Sequence, residues 1–141
     1  MAKIEIINEA AGRPNKDFAN EVVRKTIRLS GIKVKKASLS VIFASRTKIR
    51  SLNRTYRGKN KSTDVLSFNY SSGYNKEKIE GELFLCPEMI EKSAKEHEVS
   101  FRKELAFVLS HGVLHLLGMR HGKKMYGIQD EVVRMLKVKN E

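Results

Sequence analysis

Between Ser110 and Gly122 the chain reads S-H-G-V-L-H-L-L-G-M-R-H-G, which places His111, His115 and His121 within eleven residues. His111 and His115 are four apart, and on a helix that spacing projects both side chains from one face in neighbouring turns, where they can share an ion. Gly118 stands between them and His121. A glycine can take the left-handed conformation that ends a helix, turning the chain back so that a third imidazole approaches the same point. Three protein ligands and an open fourth position is the usual plan of a catalytic zinc site, whereas structural sites are commonly closed by four ligands, often cysteines. Cys86 is the only cysteine. One Zn2+ ion held by His111, His115 and His121 would lower the pKa of its water to about 7 and polarise a carbonyl or phosphoryl oxygen, so hydrolysis is the natural chemistry. Two other arrangements stand open at this point: a structural or closed site with Asp130 or Glu131 as fourth ligand, and three ordinary histidines without a metal.

The spacing H-x-x-x-H-x-x-G-x-x-H is similar to the long zinc motif of metzincin peptidases, which carry glutamate directly after the first histidine as general base. Here that position is Gly112. Without the carboxylate a peptidase lacks the group that deprotonates its water. Met125 follows at a spacing similar to the methionine turn of those enzymes, but a single methionine reads as core.

Charge points to another substrate. The chain has 28 Lys+Arg against 16 Asp+Glu, a net charge of +12 and a pI near 9.9, a field that attracts polyanions and holds them by counterion release. Nucleic acid is the first partner to consider, against the alternative of a solvated lysine-rich surface. With 40% hydrophobic and 31% charged residues over 141 positions, the composition is that of one globular domain, 1–141, long enough to bury a core. A lone cysteine excludes an internal disulfide and fits a reducing compartment. The opening MAKIEIINEAAGRPN has no long apolar stretch, so neither a secretory signal nor a membrane span is expected, and the expected location is the cytoplasm.

The elements that must position the histidines can be read from periodicity. Lys3 to Asn8 alternates as a strand, and Gly12, Pro14 and Asn15 mark a loop. Phe18, Val22, Val23 and Ile27 share one face of a helix over 16–29, with Gly31 at its end. A strand is expected over 37–44, then a short helix capped by Ser45 and ended by Gly58. The basic loop R-G-K-N-K-S at 57–62 leads to a strand with Val65, Leu66 and Phe68, a polar turn over 70–78 and a second short strand over 82–86. Pro87 suits the first turn of a helix reaching His97, Ser100 caps the helix 101–117 that carries His111 and His115, and a last helix is expected over 128–138. Strands mixed with helices over one core predict a single α+β domain, a mixed sheet of about four strands packed by about five helices.

The stretch L-N-R-T-Y-R-G-K-N-K-S-T-D-V-L-S-F at 52–68, G-E-L-F-L-C at 81–86 and H-G-V-L-H-L-L-G-M-R-H at 111–121 strongly resemble the YbeY family of bacterial rRNA maturation factors and zinc-dependent endoribonucleases. The resemblance covers the whole chain. It implies single-stranded RNA as substrate, roles in processing ribosomal RNA at the 3′ end of the small-subunit species and in ribosome quality control, and the ribosome or ribosomal proteins as partners. It also implies a mixed sheet packed by helices, His111, His115 and His121 as zinc ligands, and Arg57 as the functional arginine. Arg57 has its own physical case, because a guanidinium fork binds phosphate bidentately and stabilises charge developing on it, with Lys59 and Lys61 near to guide the backbone. A surface salt bridge is the alternative for Arg57. Thr63 and Asp64 lie in the same motif, and Asp64 could orient the loop or a histidine, or form a turn. The chain departs from the family pattern at Arg120, where aspartate usually precedes the third histidine, and at Asn69, where proline is frequent. His97 is expected to be solvated and Cys86 to be a small buried hydrophobe.

Overall fold

The computed structural model describes residues 2–71 and 78–136. Strand β1 (Ala2–Asn8) leads through helix α1 (Lys16–Ser30) to β2 (Lys36–Phe43) and α2 (Arg46–Arg57). The hairpin strands β3 (Val65–Asn69) and β4 (Lys78–Leu85) follow, then α3 (Pro87–Glu96), α4 (Phe101–Leu116) and α5 (Lys123–Met135). The strands form one mixed sheet in the order β1-β2-β4-β3, with β1, β2 and β4 parallel and β3 antiparallel to β4. The expected α+β class, with four strands and five helices among the described residues, is what the chain adopts.

Alternation decides which side chains meet which helices. Ile4 and Ile6 of β1 lie beside Leu39 and Val41 of β2, which continue into Leu83 and Leu85 of β4 on one face of the sheet. Helices α1, α3, α4 and α5 pack on that face and share its main core. Leu66, Phe68 and Phe84 point the other way, into a smaller cluster with Ile49 and Leu52 of α2 and the fully buried Cys86. Cys86 is therefore the small buried hydrophobe expected.

Helix α4 is the centre of the fold. Ten of its sixteen residues are buried, an all-round burial possible only where a helix is enclosed by sheet and neighbouring helices. It approaches the sheet most closely at Gly112, where a Cβ would stand 2.8 Å from Leu83 Cδ2 and 3.3 Å from Val65 Cγ2. A second close approach lies at Gly81 of β4, where a Cβ would meet Phe68 O at 2.9 Å and Leu116 Cδ2 at 3.0 Å. Gly112 thus has a steric reason that the comparison with peptidase motifs does not contain: a side chain there would have to displace Leu83.

Two boundaries differ from expectation. β4 begins at Lys78 instead of 82, because Ile79 and Gly81 continue the inward alternation of Leu83 and Leu85, and a glycine carries no side chain to reveal it. Helix α5 begins at Lys123 instead of 128, with Met125, Gln129 and Val132 as its buried stripe; a glutamine in that stripe hid the periodicity. Met125 is fully buried core, as expected. The expected end of the last helix at Val138 and most of the expected polar turn lie outside the described residues. His97 is exposed, as expected, and it also has a partner. Its Nδ1–H donates to Glu104 Oε2 at 2.6 Å, because the Glu104 carboxylate lies on the buried side of the first turn of α4 and needs a donor.

Gly112→Ala should destabilise the protein by about 1–3 kcal/mol through overpacking, outweighing the helix-propensity gain of about 1 kcal/mol. Urea unfolding measures this, and an unchanged or raised midpoint would show that Leu83 yields without cost.

Candidate metal centre

The last turns of α4 present His111 and His115 on one face, and the way the helix ends brings in the third ring. Leu117 is the C-cap; Gly118 N–H donates to His115 O and Met119 N–H to Leu114 O, both at 2.9 Å. Gly118 has φ 87°, in the left-handed region. This crossed pair of bonds is a Schellman turn, which satisfies the terminal carbonyls and reverses the chain. His121 consequently stands with its ring centroid 4.8 Å from that of His111 and 4.6 Å from that of His115.

The Nε2 atom of His115 lies 3.0 Å from Nε2 of His111 and 3.1 Å from Nε2 of His121. A tetrahedral zinc ion with Zn–N bonds of about 2.0–2.1 Å spaces its ligand nitrogens about 3.3 Å apart. Both separations from His115 stand within a few tenths of an ångström of that spacing, and the three ligand atoms, all within 4.8 Å of one another, could bind a metal ion. His111 and His115 are half-buried and His121 is exposed, so the group opens to solvent on one side. Among the described residues neither Asp130 nor Glu131 joins it; Asp130 is exposed and Glu131 pairs with Arg134.

Burial, and then repulsion from the neighbouring rings, holds the pKa values of His111 and His115 below the ordinary 6.5. For His111 the Gln129 side chain and the Asp64 carboxylate act in the opposite direction. At neutral pH both rings are therefore neutral, with lone pairs available to a cation.

A cleft of about 640 Å3 runs from His115 along β3 to the end of α2 and the loop after it. Arg57 is the last residue of α2 and lines this cleft together with Lys59, Lys61 and Thr63. Among the described residues the guanidinium forms no salt bridge: Nη2 donates to Ser67 O at 2.5 Å, and the group lies over the Phe68 ring at 5.3 Å from its centroid. Asp64 is tied to the sheet through its carbonyl, which accepts from Cys86 N–H at 2.9 Å, and Thr63 Oγ1 donates to its carboxylate at 3.3 Å. Arg120 is exposed beside His121.

Three amides were not legible as site residues. Buried Asn53 donates to Lys61 O at 2.9 Å and so holds the basic loop against α2. Asn69, where the family often has proline, donates to Leu116 O at 3.1 Å and accepts from Ser71 N–H at 2.8 Å, joining β3 to the end of α4. Gln129 donates to Phe107 O at 3.0 Å from α5. The only signal for Asn53 and Gln129 was a polar residue on the apolar stripe of a helix.

An α+β domain whose buried helix ends in an open three-histidine group beside a cationic cleft has the outline of a hydrolase for a polyanion. The family described as Endoribonuclease YbeY matches residues 5–137. An endoribonuclease YbeY of Bdellovibrio bacteriovorus is 34% identical over 95% of both chains, and that of Thermotoga neapolitana is 35% identical over 84% of this chain and 74% of its own. The solution structure of a Thermotoga maritima protein, 30% identical, superposes with a TM-score of 0.64 over 93% of this chain and 87% of that one. The chain belongs to the YbeY endoribonuclease family.

A histidine whose folded pKa lies below its unfolded value near 6.5 binds fewer protons when folded, so stability is present above that value and is lost as pH falls towards the folded pKa. Metal-free protein should therefore show a lower urea midpoint at about pH 5.5 than at about pH 7.5, with the difference reduced in a His111→Ala, His115→Ala double variant. A double variant with the full wild-type pH dependence would show that these rings are not the cause.

Proposed function

We propose that this protein is a single-strand-specific, zinc-dependent endoribonuclease of the cytoplasm, one YbeY-like domain over 1–141. We infer further that it acts on ribosomal RNA, in maturation of the small-subunit 3′ end and in ribosome quality control, with the ribosome or its proteins as partners. The observation that carries the proposal is the convergence of the Nε2 atoms of His111, His115 and His121 at one end of a cleft that Arg57 also lines.

In this reading the three imidazoles hold one zinc ion, which when bound would supply a Lewis acid and a water of lowered pKa. The chain's own residues do the rest. Arg57, held by Ser67 O and the face of Phe68, lines the cleft, where its guanidinium binds the scissile phosphate and stabilises charge gathering on its oxygens. Lys59 and Lys61 line the same cleft and neutralise neighbouring phosphates. Gly112 supplies no carboxylate where a peptidase would need its general base, which supports phosphodiesters over peptides. Exposed Tyr56 and Tyr70 offer rings on which unpaired bases could stack.

Arg57→Ala should lower cleavage of a single-stranded RNA by about 10²–10³-fold with the fold intact, and His115→Ala should remove both cleavage and stoichiometric zinc. Metal analysis and cleavage assays on nuclease-free preparations test this. Full activity in either variant would overturn the mechanism, and zinc that sustains only thermal stability and RNA binding would identify a non-catalytic assembly factor.

A further inference from the structure

Gln129 occupies the middle of α5, is completely buried, and faces α4 at the level of His111. Its Nε2 donates to the Phe107 carbonyl at 3.0 Å, one turn before His111. A carbonyl oxygen only accepts, so this bond fixes which end of the amide is which, and Oε1 must face away from Phe107. Among the described residues Oε1 is the one buried side-chain polar atom with no hydrogen-bond partner of ordinary length. A buried acceptor without a donor is costly, so its retention needs an explanation.

The explanation lies in the second nitrogen of His111. Nε2 of that ring faces His115, so Nδ1 is the nitrogen turned away from the triad. The Gln129 side chain is a neighbour of this ring. With the ring proton on Nε2, Nδ1 and Oε1 are both acceptors and cannot bond. With the proton on Nδ1, that bond closes and the Nε2 lone pair is free for a cation.

We propose that Gln129 is a positioning residue for the metal centre: its Oε1 accepts from Nδ1–H of His111, selecting the tautomer and ring orientation in which Nε2 can ligate zinc. This rests on the assignment of the triad as a metal site. Anchored to Phe107 and neutral, the amide orients the ring without adding charge to the centre. Glutamine is suited to this because it bonds at both ends: one to the helix that carries the ligand, the other to the ligand itself.

The test is Zn2+ affinity, measured by competition with a chromophoric chelator, together with 15N NMR of the histidine rings. Zinc-loaded wild type should show His111 protonated at Nδ1, with that proton protected from exchange. Gln129→Met, which keeps the volume and removes the acceptor, should weaken zinc binding by about 10–100-fold and lose the protected proton. Gln129→Glu, whose buried carboxyl keeps an acceptor for Nδ1–H and in its protonated form a donor for the Phe107 carbonyl, should retain both. A Met variant with wild-type affinity, equal losses in the two variants, or His111 protonated at Nε2 in zinc-loaded wild type would overturn the inference. Wild type that binds no zinc would overturn the metal assignment as well, which separates the two failures.

Discussion

The close seating of α4 on the sheet is the constraint on which the site depends. Gly112 lies between His111 and His115, and the absence of a side chain there lets the helix lie against Leu83 and Val65. That contact sets the height of α4 above β3 and β4, and with it the position of both imidazoles at the mouth of the cleft. Gly81 repeats the device from the strand side, admitting Leu116 one turn further along. Protein interiors are packed too densely for such an approach to vary freely, so the ligand-bearing helix has one position. Two of the three imidazoles therefore stand on a rigid element.

The rest of the site is arranged by bonds that tie loops to this frame. Asn69 joins β3 to the last turn of α4, Asn53 holds the basic loop to α2, and the Schellman turn at Gly118 returns His121 to the other two rings. Each satisfies backbone groups at an element's end while placing a functional side chain. Burial has a second effect at the triad: by keeping His111 and His115 neutral it leaves them ready for a cation at neutral pH, at the cost of stability in acid.

Arg57 shows how a cation can be held without being neutralised. A partner carboxylate would cancel its charge; a carbonyl and an aromatic face orient the guanidinium and leave its field intact. Together with Lys59 and Lys61 it makes the cleft locally cationic within a chain whose net charge is already +12. The long-range field and the local site thus act in the same direction, the first gathering a polyanion and the second holding one of its phosphates.

Local chemistry made much of this protein legible from sequence. The i, i+4 histidines, the helix-ending glycines at 31, 58 and 118, the caps at Ser45 and Ser100, and the alternation of β1 and β2 are near-neighbour effects, and each appears in the structure as read. What periodicity missed were positions where a residue's type and its burial disagree: Gly81 within β4, Gln129 within the core stripe of α5, and the buried Glu104 carboxylate that pairs with His97. Their reasons are partners brought close only by folding, the Leu116 side chain, the Phe107 carbonyl and the His97 ring. Gly112 states the division most clearly. Its identity in the sequence removes a peptidase base, but only the tertiary packing shows that the position is filled by the sheet, because a steric limit between two elements cannot be read from either one alone.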